Sequence, residues 1–268
     1  MRTLYNNQPL SREDIQAIAP SVYAIKPASH VSEDYHFVNT GEVLDILGRE
    51  GWQPFEAKQQ KVRNQEKREG TKHMVSLRNP NIDITGLDLG GLIPTFTVVN
   101  SHDWSSRFKV MVGIFRLVCS NGMMIADGFV QGFNIRHDHI TDDIEIVMAR
   151  FSSTATKILE TARVWDSTQL DEYAIQQFSL QAAKIRFGEN SENLEAQARA
   201  LNMARRSADM GNSLWRVFNR IQENSIRGGV KFQGMKRRIR ALTNIDAEVS
   251  VNNDLFNLAA NFDPSRLS

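Results

Sequence analysis

Arg107-Phe108-Lys109-Val110-Met111-Val112-Gly113-Ile114-Phe115-Arg116-Leu117-Val118-Cys119 is the stretch that decides the fold. Its apolar residues occupy both alternating sets: Val110, Val112 and Ile114 on one, Met111, Phe115 and Leu117 on the other. A strand covered on both sides reads this way. Ser120-Asn121-Gly122 follows as a tight-turn signal, and residues 123–127 read as the next strand. Upstream, Leu92–Asn100 is rich in β-branched and aromatic residues, as a strand would be. Residues 129–137 are read as a fourth strand.

The period then changes. Ile144, Val147, Met148, Phe151, Ala155, Ile158, Leu159 and Ala162 trace one helical face behind a Thr141-Asp142-Asp143 start. Further helices are expected over 170–187, ended by Gly188, and over 213–226, ended by Gly228-Gly229. Residues 189–211 read as a polar, alanine-rich linker with some helix, and 244–262 as mixed. Near the start, Ser11-Arg12-Glu13-Asp14 caps a short helix that stops before Pro20, and Thr40-Gly41-Glu42 opens another. Residues 56–73 are dense in Lys, Arg, Glu and Gln and read as a solvated hairpin or loop. The expected class is therefore α+β: an antiparallel β-meander covered on one face and followed by long helices. Residues 1–188 would form the core domain, with a helical, basic region at 189–268 packed on it.

Composition sets the bounds. The chain has 268 residues, 41% hydrophobic and 24% charged, ordinary values for a globular protein with a sizeable core. A single cysteine, Cys119, excludes an intramolecular disulfide and a four-cysteine zinc site. No run approaches the roughly 20 apolar residues that cross a bilayer, and the first residues lack the apolar stretch of a signal peptide. A cytoplasmic protein with no membrane partner is expected.

The net charge of +1 conceals a segregation. Residues 201–240 hold ten basic residues (Arg205, Arg206, Arg216, Arg220, Arg227, Lys231, Lys236, Arg237, Arg238 and Arg240) against Asp209 and Glu223. That segment carries +8, which leaves −7 on the remaining residues. Leu214, Val217, Phe218 and Ile221 form an apolar helix face, and Arg216, Arg220 and Arg227 are placed on another. Gly228-Gly229 then lead into Lys236-Arg237-Arg238-Ile239-Arg240. A glycine-flanked basic loop lays guanidinium groups along a phosphate chain, or else is a solvated surface that pairs with acidic protein.

Other chemistry finds less support. Asn100-Ser101-His102-Asp103 holds triad residue types, but triad members normally converge from separate segments, and a turn built on side-chain bonds to backbone is expected. His137-Asp138-His139 with His102 and Asp103 offers ligand types for a metal-dependent nuclease but no firm spacing. Cys119 reads as a compact hydrophobe sooner than as a nucleophile with His102 as base. No phosphate-binding glycine loop is present, so no cofactor is expected.

Four blocks in order carry a resemblance. They are Phe37-Val38-Asn39-Thr40 through Gly51-Trp52-Gln53-Pro54-Phe55; Thr71-Lys72-His73-Met74-Val75; Asn100-Ser101-His102-Asp103 through Arg116, Cys119, Asn121 and Gly122; and Leu214-Trp215 through Asn224-Ser225-Ile226-Arg227-Gly228-Gly229. Together they resemble the phage- and plasmid-related family labelled domain of unknown function 932, over roughly residues 20–258. The resemblance implies mobile-element DNA biology. Relatives usually carry Gly after the Ser-His-Asp triplet, where this chain has Trp104, and often end the strand after Gly132 differently.

Three strands followed by a long helix is also the order of single-strand annealing proteins, an analogy at the level of fold order. With the charge map it leads to the expected function: a single-stranded-DNA-binding, annealing protein that assembles into homo-oligomeric rings or filaments. Arg216, Arg220, Arg227, Lys231, Lys236, Arg237, Arg238 and Arg240 would contact phosphates, and Trp104 or Phe232 would stack on bases. The alternative is an anti-defence protein that binds and inhibits a host enzyme through the acidic remainder.

Overall fold

A computed structural model describes the chain apart from residues 6–7, 33–34, 64–67, 69, 82–91, 117–120, 126–139 and 268. The fold is α+β, with an antiparallel meander followed by helices. The meander is longer than expected. Six strands pair in chain order: β1 (Arg2–Tyr5), β2 (Gln53–Gln59), β3 (His73–Arg78), β4 (Leu92–Asn100), β5 (Lys109–Arg116) and β6 (Asn121–Ile125). Two short helices, α1 (Arg12–Ile18) and α2 (Thr40–Arg49), fall between β1 and β2.

Of the expected solvated hairpin or loop at 56–73, the hairpin is present, with Lys58 opposite Met74 and Gln59 opposite His73, but the strands are not solvated: Lys58, Gln59, Thr71, Lys72 and His73 are buried. Asn121 and Gly122 also move from the expected turn into the sheet, opposite Arg116 and Phe115. The fourth strand at 129–137 lies outside the described residues.

Both faces of the sheet are covered, not one. On the first face Ala57, Val75, Leu77, Phe96, Val98, Val110 and Val112 join the main core. There Trp52, Phe96 and Phe151 bring their ring centroids within 4.3–4.6 Å of one another. Phe151 comes from α3 (Ile140–Ser167), which also buries Ile158, Ala162 and Trp165. On the second face Met74, Val99 and Met111 pack with Ile245 of α7 (Ile245–Ala260). Two ion pairs tie that helix down: a buried one, with Lys58 Nζ 2.5 Å from Glu248, and one at the surface, with Lys72 Nζ 2.5 Å from the exposed Asp246. Burial opposes the charge on Lys58, but Glu56 and Glu248 together hold its pKa above the ordinary lysine value.

The helices behave as their caps dictate. Ser11 and Asp14 form a capping box at the start of α1. Asn39 caps α2 by accepting from the amides of Gly41 and Glu42. Asp171 caps α4 (Glu172–Phe187), which Gly188 ends. The expected linker contains α5 (Leu194–Leu201), which buries Ala198, Ala200 and Leu201. One apolar core draws on residues either side of position 188, from Leu10 to Ala259. No helix among the described residues is long and apolar enough to cross a membrane.

Helix α6 (Leu214–Arg227) runs through the centre of the helical layer. Leu214, Val217, Phe218 and Ile221 are buried as its pattern predicts, with Phe218 5.2 Å from the ring of Trp165. Its polar residues are buried too. Asn219, Arg220, Gln222, Glu223, Asn224 and Ser225 all lie inside, so only Arg216 and Arg227 reach the surface.

Candidate functional site

The chain leaves α6 at Gly228 (φ 59°), turns again at Gly229 (φ 86°) and returns to Leu242. A Cβ at Gly228 would lie 2.5 Å from the backbone of Ile239, Arg240 and Ala241, so the two limbs of the loop can cross only at a glycine. The limbs are laced by Gly229 N–H to Ile239 O (2.7 Å), Ile239 N–H to Val230 O (2.8 Å) and Leu242 N–H to Ile226 O (2.9 Å). Val230 and Ile239 are buried in the main core and anchor the base. The tip turns at Gly234, with the Met235 amide donating to Phe232 O.

Arginines hold this backbone, two from outside the loop and one from within it. Arg186 of α4 donates to the carbonyls of Ser225 (2.9 Å) and Arg240 (2.8 Å). Burial pulls the pKa of Arg186 below the usual guanidinium value. Arg205 donates to Gly228 O, and Arg238 to Gly229 O at 2.8 Å. A Cβ at Gly229 would crowd the Arg205 guanidinium at 3.3 Å. The result is a cleft of about 510 Å³ lined by Met203, Arg205, Gly229, Val230, Lys231, Phe232, Gln233 and Arg238. Arg199 lies over the Phe232 ring, 5.7 Å from its centroid.

Lys231, Lys236, Arg237, Arg238 and Arg240 therefore share one exposed loop. The other nominated cations do not join it. Arg220 is a correction: it is buried, and its guanidinium donates to Asn202 Oδ1 (3.0 Å) and to the carbonyls of Asp209 and Gly211 (both 2.8 Å). Those carbonyls, not phosphates, use its donors, and burial lowers its pKa. Arg216 is exposed but lies about 17 Å down the helix axis, where it donates to Met210 O at 2.5 Å. Arg227 is exposed and lies near enough to Glu248 to lower that carboxyl's pKa, although burial raises it more. The sequence did not single out Arg186 or Arg199; Arg205 was counted in the basic 201–240 segment but was not among the expected phosphate contacts.

The Asn-Ser-His-Asp block is structural, as expected of a turn. Asn100 Nδ2 donates to Val38 O and to Thr40 Oγ1, both at 3.0 Å. His73 donates from Nδ1 to Thr71 O (3.1 Å), which leaves Nε2 to accept from the Thr40 hydroxyl at 2.8 Å. Ser101 Oγ accepts from the Ser106 amide, and Asp103 Oδ1 from the Ser105 amide. His102 is fully buried and donates from Nε2 to Ser21 O at 2.8 Å, and its Nδ1 has no partner. The two imidazoles lie 5.1 Å apart. Burial drives the pKa of His73 down to about 3, helped by His102, and that of His102 to about 4. Neutral buried rings of this kind are hydrogen-bonding core residues.

Trp104 stands at the tip of this turn with φ 65°, 59% exposed, its ring 5.7 Å from Tyr35. Positive φ is where glycine is unstrained and an indole-bearing residue is not. It does not line the cleft. Arg116 is seen as a backbone partner in β5. Cys119, His137 and His139 lie outside the described residues. Among the described residues no three His, Cys, Asp or Glu side chains gather as a metal site.

Residues 27–256 match the family described as domain of unknown function (DUF932). Two relatives from Escherichia coli strain K12 are similar over 259 residues, 94% of this chain and 91% of each relative. They are UPF0380 protein YafZ, 34% identical, and UPF0380 protein YfjQ, 33% identical. No solved structure matches the chain.

Proposed function

This chain belongs to the DUF932 family, and we propose that it binds single-stranded nucleic acid through the 228–240 loop. The observation that carries this reading is the state of four cations. Lys231, Lys236, Arg237 and Arg240 are exposed, and among the described residues their side chains have no ion-pair partner. Cations spent on the fold look different, as the buried bonds of Arg220 illustrate. The laced, glycine-crossed backbone holds these charges along one ridge, and a ridge of cations without base-edge readers suits a phosphate chain of any sequence.

The fuller reading is strand annealing. A protein that grips phosphates leaves base edges free to pair, and a homo-oligomer would extend the ridge into a continuous track. Such a protein would work in the cytoplasm of a host cell. The analogy with annealing proteins is one of fold order only: β4, β5 and β6 are the last three strands of a six-stranded meander and precede α3 in the chain.

Titration of a labelled single-stranded 30-mer at increasing salt tests the binding. The expected log–log slope is about −3, the release of roughly four to five counterions at about 0.7 each. A salt-independent affinity contradicts the reading. Faster pairing of complementary strands in the protein's presence, and elution as a large assembly, test annealing and oligomerisation separately.

A further inference from the structure

We infer that the cleft beside the loop seats one nucleotide of the bound strand, its phosphate between Arg205 and Arg238 and its base against Phe232. The inference rests on the strand-binding reading and says where along the ridge a base is held. Three features lead to it. The cleft is open to solvent along the loop, and its volume, about 510 Å³, falls in the range of small-molecule sites, about 300–1,000 Å³. Its walls divide by chemistry: Met203, Val230 and Phe232 are apolar, whereas Arg205, Lys231, Arg238 and the Gln233 amide are polar. That division fits a ligand with a flat apolar part and an anionic part.

The third feature is preorganisation. Arg205 and Arg238 each spend one guanidinium nitrogen on a loop carbonyl, Gly228 O and Gly229 O. A guanidinium has five N–H donors, so each retains donors for a phosphate while its position is already fixed. Adjacent carbonyls thus hold two cations at one cleft, and among the described residues neither has an ion-pair partner. The Phe232 ring has Arg199 over it and supplies a π-face for a base. Gln233 offers an amide that donates and accepts, and so tolerates every base.

Oligonucleotides of four residues, each carrying a fluorescent purine analogue at one position, test this. Binding is expected to quench the analogue in the native protein. Phe232→Leu, which keeps an apolar side chain at a half-buried position, should abolish the quench and weaken binding about tenfold, the loss of one base–aromatic stack. It should leave the salt slope unchanged. Arg238→Gln should reduce that slope by about 0.7. Far-ultraviolet circular dichroism confirms that each variant is folded. Salt-dependent binding without quenching at any position, or quenching unaffected by Phe232→Leu, overturns the nucleotide seat and leaves the strand-binding reading standing. No binding of any oligonucleotide overturns both. Competition by the free analogue monophosphate would assign the seat to a free nucleotide, and its failure to compete would assign it to a nucleotide within a strand.

Discussion

Two regions of this molecule concentrate polar side chains and use them in opposite ways. Around Asn100, His73 and His102 every group but one ring nitrogen is bonded to the chain itself, and the cluster is buried. On the 228–240 loop the backbone is held by arginines, and the loop's own cations face solvent. The first region has the residue types of chemistry, and the second has only charge. What distinguishes a candidate site is whether hydrogen-bonding capacity is left over after folding. The same contrast separates two arginines of the same basic segment, Arg220 in the interior and Arg240 outside.

The largest effect expected is in the buried region. His73 and His102 are neutral in the fold with pKa values near 3 and 4, against 6.5 unfolded. Their contribution to stability is complete above pH 6.5 and is lost as pH falls through about 4 for His102 and about 3 for His73, because the unfolded chain takes up two protons that the fold refuses. The slope reaches about 3 kcal/mol per pH unit. Urea midpoints measured from pH 7 to 4.5 check this, and a flat profile would show that the pair is not buried neutral.

Next is Arg220→Ala, which strands the carbonyls of Asp209 and Gly211 and the Asn202 amide. It should cost about 3 kcal/mol in denaturant unfolding. A surface arginine would change stability by less than about 0.5 kcal/mol. Smaller still is Trp104→Gly, which relieves the positive φ but loses the contact with Tyr35. Stability should shift by less than about 1 kcal/mol, read from the thermal midpoint.

The sequence made some of this legible and hid the rest for identifiable reasons. Strands β4 and β5 carry apolar residues on both faces, so their pattern is plain. Strand β2 was obscured because Lys58 is buried, its charge balanced by Glu56 beside it and by Glu248, 190 residues away. No local pattern announces such a partner. Helix α7 was obscured by Val249, Val251, Asn252, Asn253 and Asp254, poor helix formers. Its buried Asn252 is matched to Gln222 at 2.6 Å. Yet Ile245, Glu248, Val251, Asn252, Leu255, Phe256 and Ala259 do keep a helical spacing once Glu and Asn are admitted as interior residues. Arg220 was misplaced by the same assumption, that polar means exposed. The loop was legible because glycines and clustered cations are read without knowing any distant partner, whereas Arg186 and Arg199 reach it only through the fold.

Binding by the loop is decided by the salt dependence of single-strand affinity in a variant with Lys236, Arg237 and Arg240 all changed to Ala. These residues make no side-chain bond within the described structure, so unfolding should be unchanged within about 0.5 kcal/mol for each replacement. The log–log slope is expected to become shallower by about 2, and affinity at 0.1 M salt to fall about a hundredfold. An unchanged slope and affinity in the folded variant would contradict that expectation and remove the loop from the binding surface.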